Sequence, residues 1–258
     1  MYDLIQKRDY FCPSRYISGR ISEYDIRACN INMLKYYGMI SDELYNYLSV
    51  IPKIDREIYI GNMMREDKKI YDTISKGIKE FKVKLASTNN IQDKEIVRIA
   101  NDAVYVNRPI DLFTTVFDNI EFKQKGIYSS VVKLNKSTII FLSKDMYGNS
   151  IVDVKGIGDN DVLHQNYMIS IIVTVINTME MSSAKDALAL LNDIYKDYVS
   201  LKLDKGCYRE FNSISMYKYK HSNYGAFYIE DINDIDISYN LYILRELWSI
   251  IMERSKIS

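Results

Sequence analysis

Tyr24-Asp25-Ile26-Arg27-Ala28-Cys29-Asn30, read with its counterpart Ile99-Ala100-Asn101-Asp102-Ala103-Val104-Tyr105-Val106, decides how this chain folds. Each segment places one aspartate at the mouth of an apolar stretch. Asp25 follows Ile21 and Tyr24, and Asp102 directly precedes a Val-Tyr-Val run that reads as a buried strand. A carboxylate in such a place needs a partner, and a divalent cation is one that fits. Ile21–Ile26 is short and apolar, and Ile31, Leu34 and Tyr37 then repeat at helical spacing until Gly38, so residues 20–38 read as a strand running into a helix. Glu95–Asn107 reads as strand, turn and strand with Asn101-Asp102 at the bend, and Asn107-Arg108-Pro109 makes a second break.

The segment between these two is helical. Ser41 and Asp42 can cap a short helix to Leu48 that ends at Pro52. From Ile54 to Ala86, Ile58, Ile70, Ile74, Ile78, Phe81 and Leu85 predict two helices broken near Gly61. Lys69, Lys76, Lys79 and Lys82 fall outside that stripe and read as a solvated face. Downstream, Ile120–Lys123, Val131–Leu134 and Thr138–Leu142 predict strands, with turns at Gly148-Asn149 and Gly156–Gly158. The C-terminal part is helical: His164–Met179, a helix to about Tyr198 that Ser183 and Asp186 open as a capping box, and Ile235–Met252. The expected fold is α+β, an antiparallel sheet with helices in a domain over 1–160, a helical insert over about 39–90, and a helical region over 161–258.

Composition sets outer limits. The 258 residues can bury a core as one or two domains, and 47% hydrophobic with 26% charged residues excludes global disorder. The 34 basic and 34 acidic residues cancel, so no global charge advertises a polyanion partner. Twenty-three tyrosines against one tryptophan, with abundant Ile, Lys and Asn, reflect an A/T-rich codon bias, though tyrosine also offers stacking surface for bases. Cys12, Cys29 and Cys207 are too scattered for a disulfide framework or a zinc site. Two histidines, His164 and His221, argue against a Ser-His-Asp or Cys-His hydrolase. No signal peptide and no membrane span is expected, and the cytosol, a host cell's if the gene is viral or plasmid-borne, is the expected compartment.

Several of these segments, in order, resemble family B DNA polymerases. Asp25-Ile26-Arg27-Ala28-Cys29-Asn30-Ile31-Asn32-Met33 resembles their motif A, an aspartate followed by a strand-to-helix turn. Val97–Val106 is similar to their motif C hairpin, with Asp102 matching its second aspartate and Ala100 replacing the first. Ile120-Glu121-Phe122-Lys123 resembles the strand that follows motif C. Lys133-Leu134-Asn135-Lys136-Ser137-Thr138 stands where those enzymes contact the primer-template backbone, and Asp153-Val154-Lys155-Gly156-Ile157 is similar to the turn that enters the thumb. The likeness covers roughly residues 20–220, and collinearity carries it.

That resemblance implies a polymerase palm followed by a helical thumb, and a nucleotidyltransferase in which Asp25 and Asp102 hold Mg2+ or Mn2+. It implies Lys133, Lys136 and Lys155 as contacts to a primer-template's phosphates. Asn30 stands where a tyrosine usually screens the sugar 2′ position, which leaves the choice between deoxyribonucleotide and ribonucleotide open. No fingers helix that grips the incoming triphosphate is recognisable. Lys53, Arg56 and Arg65 in the short insert are the candidates for nucleotide binding, and each also fits a plain solvated role. Two expectations follow, a minimal polymerase or a subunit completed by a partner chain that supplies fingers. Two other readings use the same residues: a palm-thumb remnant that binds nucleic acid or a replication partner without chemistry, and an unrelated α+β adaptor in which Asp102 makes the turn and Asp25 caps the helix near Ala28.

Overall fold

A computed structural model of the chain describes residues 2–135, 138–148, 150–155, 162–204, 207–210, 235–236 and 238–255. The fold is α+β. Two compact units share it, the first formed by residues 1–14 and 18–130, the second by 15–17 and 131–258.

In the first unit, strand β1 (Asp9–Phe11) and the long strand β2 (Tyr16–Ile26) precede four helices, α1 (Cys29–Tyr36), α2 (Asp42–Val50), α3 (Lys53–Glu66) and α4 (Lys68–Thr88). A hairpin of β3 (Ile96–Ala100) and β4 (Ala103–Val106) follows, then the short β5 (Val116–Phe117) and the 14-residue β6 (Ile120–Lys133). The strand order is β1-β3-β4-β2-β6, so the hairpin returns to place β4 between β3 and β2. β4 runs antiparallel to β2, with Tyr24 opposite Val104 and Asp25 opposite Ala103. A strand that leaves through helices and comes back one position away, with a hairpin strand in the gap, is a split β-α-β arrangement. It brings two loops that are distant in sequence to one end of the sheet.

The core explains why these segments form these elements. Ile70, Ile74, Ile78, Phe81 and Leu85 make one buried stripe along α4 and pack with Tyr24, Ile26, Leu34, Val104, Val106 and Phe122. Ser41 caps α2 by accepting from the Leu44 N–H at 3.2 Å. The expected break at Gly61 lies instead at Asp67, whose carboxylate accepts from the Lys69 N–H at 2.8 Å and starts α4. Gly61 has open space around it, and α3 runs through it. Lys69, Lys76 and Lys79 are exposed as expected, but Lys82 is buried.

Gly77 is required by a close approach. A Cβ there would lie 2.7 Å from Tyr37 Cε2 and 2.8 Å from Met33 Sδ, where α4 crosses α1. Overpacking costs about 1–3 kcal/mol, against the ~1 kcal/mol that alanine gains over glycine within a helix. Gly77→Ala is therefore expected to lower stability by about 1 kcal/mol net, read as a shifted urea midpoint at unchanged slope. A variant more stable than wild type would show that the two helices have room to part.

The second unit contains the end of β6, then β7 (Ile139–Lys144), β8 (Ser150–Lys155), α5 (Val162–Met181), α6 (Ala184–Val199) and α7 (Ser238–Ser255), with a two-residue bridge between β9 (Arg209–Glu210) and β10 (Ile235–Asp236). Its core joins Val132, Leu134, Ile140 and Leu142 to Ile172, Ile176, Leu191, Leu247 and Ile251. The expected division fell near residue 160. β7 and β8 instead belong with the C-terminal helices because their apolar faces pack into the helical core. Ser183 caps α6 as expected, accepting from the Asp186 N–H at 3.1 Å. Among the described residues no helix is long and apolar enough to cross a membrane.

Candidate carboxylate site in a basic cleft

Both aspartates, 77 residues apart in sequence (102 − 25), stand at one end of the first unit's sheet. Asp25 is the penultimate residue of β2, and Asp102 belongs to the β3–β4 turn. The Ile26 N–H donates to the Asp102 carbonyl at 3.3 Å, which ties the end of β2 to the hairpin turn. Both carboxyl groups line one cleft, close enough for the charge of Asp25 to act on Asp102. Burial, and then the charge of Asp25 beside it, holds the Asp102 carboxyl above the ordinary range. Asp25 Oδ1 is buried and has no hydrogen-bond partner among the described residues.

Backbone strain flanks both aspartates. Ala28 and Asn101 each hold φ 44°, in the left-handed region, at about 1–2 kcal/mol for a residue with a Cβ. Ala28 is where β2 turns into α1, with no side-chain cap, so Asp25 does not cap that helix. Asn32 Nδ2 instead donates to the Arg27 carbonyl at 2.8 Å and holds the turn.

Around the pair lies a network that the sequence reading missed. Lys125 Nζ is 3.2 Å from Asp25 Oδ2 and 3.8 Å from Glu23 Oε1. Burial opposes the Lys125 charge, but its hydrogen bond to Asp25 and the charges of Asp25, Glu23 and Asp102 outweigh that and raise its pKa. Glu23, 2% exposed, accepts from the hydroxyls of Tyr105 at 2.9 Å and Tyr128 at 2.6 Å. Gly126 is bare for a reason: a Cβ there would lie 2.5 Å from Tyr128 Oη. Glu23 and Asp25 are two apart on one strand and so share a face. That spacing was the available signal for Glu23, and Lys123 and Lys125 share the same period on β6.

A cleft of ≈ 540 Å³ opens over the pair. Asp25 and Asp102 meet there with five basic side chains, Arg27, Lys53, Arg56, Lys123 and Lys125, and one further acid, Glu57. Lys53 and Arg56 come from the first turn of α3, whose N-terminal residue Pro52 provides no side-chain cap. Arg56 is 14% exposed, and its Nε is buried without a hydrogen bond, 3.7 Å from Glu57 Oε1. Asn30 donates to Glu57 Oε2 at 2.6 Å. Cys29 also lines the cleft, but burial and then the charges of Asp102, Asp25 and Glu57 push its thiol well above the usual range, so it is no nucleophile.

Of the residues singled out in the sequence, the fold therefore gathers Asp25, Asp102, Asn30, Lys53 and Arg56. Arg65 is not among them. It lies 12 residues (65 − 53) further along α3, about 18 Å along the axis, beside Asn62 Oδ1 at 3.5 Å. Lys133 and Lys155 belong to the second unit. Lys155 stands on β8 instead of in a turn, paired with Asp153 at 2.7 Å. Lys136 and the Gly156–Gly158 turn lie outside the described residues. Among the described residues no group of three or more His, Cys, Asp or Glu side chains converges as a metal site.

Fold and site together define an α+β protein with two aspartates that converge in a basic cleft. The chain belongs to the family described as bacteriophage PBS1 gene 130 protein, whose model matches residues 1–253. A comparison with curated proteins finds no match.

Proposed function

We propose that this chain is a metal-dependent nucleotidyltransferase of the palm type, acting on a primer strand. The observation that carries the reading is the convergence of Asp25 and Asp102 in one basic cleft, with Asp25 Oδ1 buried and without a hydrogen-bond partner among the described residues. The donor set fits Mg2+ or Mn2+: such ions are commonly held by one or two carboxylates, with substrate phosphates and water completing the shell. Asp25 and Asp102 would hold the ion, which when bound polarises phosphoryl oxygens and offsets their developing charge. The order of elements supports the same reading, with one aspartate ending the strand before α1 and the other turning a hairpin that pairs with that strand.

The chain's own residues supply the rest. Outside the aspartate pair the cleft holds five bases against one acid, a charge pattern suited to a polyphosphate. Arg56 presents a largely desolvated guanidinium, which suits phosphate recognition. Lys125 neutralises part of the pair's charge in the unliganded protein. The reaction this reading assigns is attack of a primer 3′-hydroxyl on the α-phosphate of a nucleoside triphosphate, with loss of pyrophosphate.

A second reading, a palm that binds nucleic acid without chemistry, is favoured by one observation: the Lys125 ammonium at 3.2 Å already serves Asp25 as a counter-ion. Incubation of the purified protein with a labelled primer–template, Mg2+ or Mn2+, and deoxyribonucleotides or ribonucleotides in turn separates the two. Metal-dependent extension is the expected result. Binding without extension under every condition would establish the second reading, and failure to bind would remove both.

A further inference from the structure

Lys82 lies on α4 one turn after the buried Ile78, at the border of the apolar stripe, and is 1% exposed. Its Nζ donates to the Lys7 carbonyl at 2.8 Å and the Asn101 carbonyl at 2.9 Å. The Asn101 N–H in turn donates to the Arg8 carbonyl at 2.7 Å. Three segments converge here: the N-terminal residues, α4 and the hairpin turn that carries Asp102. Burying an ammonium is unfavourable, and burial lowers its pKa to about 8, with the Asp102 charge acting in the opposite direction. A methionine would fill the same volume without that cost. What a hydrocarbon cannot do is donate to both carbonyls and place positive charge beneath Asp102.

We infer that Lys82 is a positioning residue: its ammonium clasps the Asn101 carbonyl to the N-terminal segment and so fixes the strained turn that sets Asp102 beside Asp25. The functional consequence rests on the metal-centre reading above; the structural one does not. Without the clasp, Asn101 still has its N–H bond to Arg8 and Asp102 its carbonyl bond to Ile26. The turn would then lose one of its three main-chain anchors while keeping a conformation that is unfavourable in itself.

A pocket of ≈ 450 Å³ lined by Lys82 and Asn101 makes chemical rescue a direct test. Full-length Lys82→Ala is compared with wild type by hydrogen exchange of residues 99–106 in metal-free protein, and by calorimetric titration with Mn2+. Exchange of the hairpin about tenfold faster, with exchange in α6 unchanged, is the expected result, as is Mn2+ affinity about tenfold weaker. Butylammonium is expected to restore both, and n-butanol, of similar bulk without the charge, neither. Hairpin protection unchanged by the substitution, or restored equally by butanol, would overturn the inference and leave Lys82 a filler. Should Lys82→Ala fail to fold, Lys82→Met, which retains the hydrocarbon volume, carries the same exchange comparison. A wild-type protein that binds no Mn2+ removes the metal reading, while the exchange arm still decides the role of Lys82.

Discussion

Asp102→Asn is expected to abolish metal-dependent nucleotidyl transfer and, at the same time, to stabilise the protein. On the proposed palm reading, loss of one of the two carboxylates that would hold the ion removes several kcal/mol of charge stabilisation, so extension should fall by about a hundred- to a thousandfold. The stability effect has the opposite sign because the native state places Asp102 near Asp25. Burial, then the Asp25 charge, raises the Asp102 carboxyl above its ordinary value of 3.8. In the pH range above 3.8 the native state therefore holds a proton that the unfolded chain has released. The native state binds more protons there, so stability falls as pH rises through that range. Asparagine has no such proton to lose. Below about pH 3.8 the variant and wild type should be equally stable, and towards neutrality the variant should be the more stable. Added Mg2+ should raise the thermal midpoint of wild type and not of the variant, since only binding to the native state stabilises it. Thermal melts at pH 3.5 and 7.5, with and without Mg2+, read all of this. An Asp102→Asn protein that keeps full extension activity, or that melts below wild type at pH 7.5, would remove Asp102 from the site.

The sequence made the central hairpin and the strand-to-helix turn legible because both depend on short-range patterns. Val104-Tyr105-Val106 next to Asn101-Asp102 has few alternatives to a strand leaving a turn, and all four residues of β4 are buried. The same holds for the α4 stripe and the Ser183 cap. What the sequence hid depends on partners from distant segments. Lys82 sits at the border of the apolar stripe on α4, and the approach of residue 7 and the hairpin turn buries it. The break between α3 and α4 was misplaced because a glycine in a helix interior was weighted above an aspartate cap, although Asp67 satisfies an N–H that Gly61 could not. β8 escaped notice because Asp153 and Lys155 fall on one of its faces and pair with each other, which weakens the apolar pattern by which a strand is recognised. Lys125 gave a partial signal through its alternation with Lys123, but its service to both Asp25 and Glu23 required the sheet order β4-β2-β6.

Glu23→Ala is the substitution expected to cost the most stability around the site. Glu23 is the acceptor for two buried phenols, Tyr105 and Tyr128, whose rings lie 6.5 Å apart at 26°. Removing its carboxylate takes a charged acceptor from both hydroxyls, at about 1.5–3 kcal/mol for each hydrogen bond to a charged group, or about 3–6 kcal/mol together. Glu23→Gln, which retains an acceptor oxygen, should lose about 1 kcal/mol. A double-mutant cycle of Glu23→Ala with Tyr128→Phe should return a coupling of about 1.5–3 kcal/mol, the range for a hydrogen bond to a charged group. The alkaline limb provides an independent sign. Burial, then the Glu23 charge, raises the Tyr105 phenol above its usual value of 10.0, so the unfolded chain releases this proton first. Stability from this group is whole below pH 10 and is lost as pH rises beyond it. Tyr105→Phe should therefore be less stable than wild type at pH 8 and close part of that gap by pH 11, as followed by urea titration. Lys125 links this network to the aspartates. With Glu23 gone, the Lys125 ammonium keeps its ion pair with Asp25, and a cation held more firmly there competes with a metal for the same oxygens. Glu23→Gln should therefore weaken Mn2+ binding by a few fold even where the fold is intact. Unchanged Mn2+ affinity in Glu23→Gln, with the stability loss as expected, would confine Glu23 to the architecture of the sheet and leave Lys125 and Asp25 as a pair independent of it.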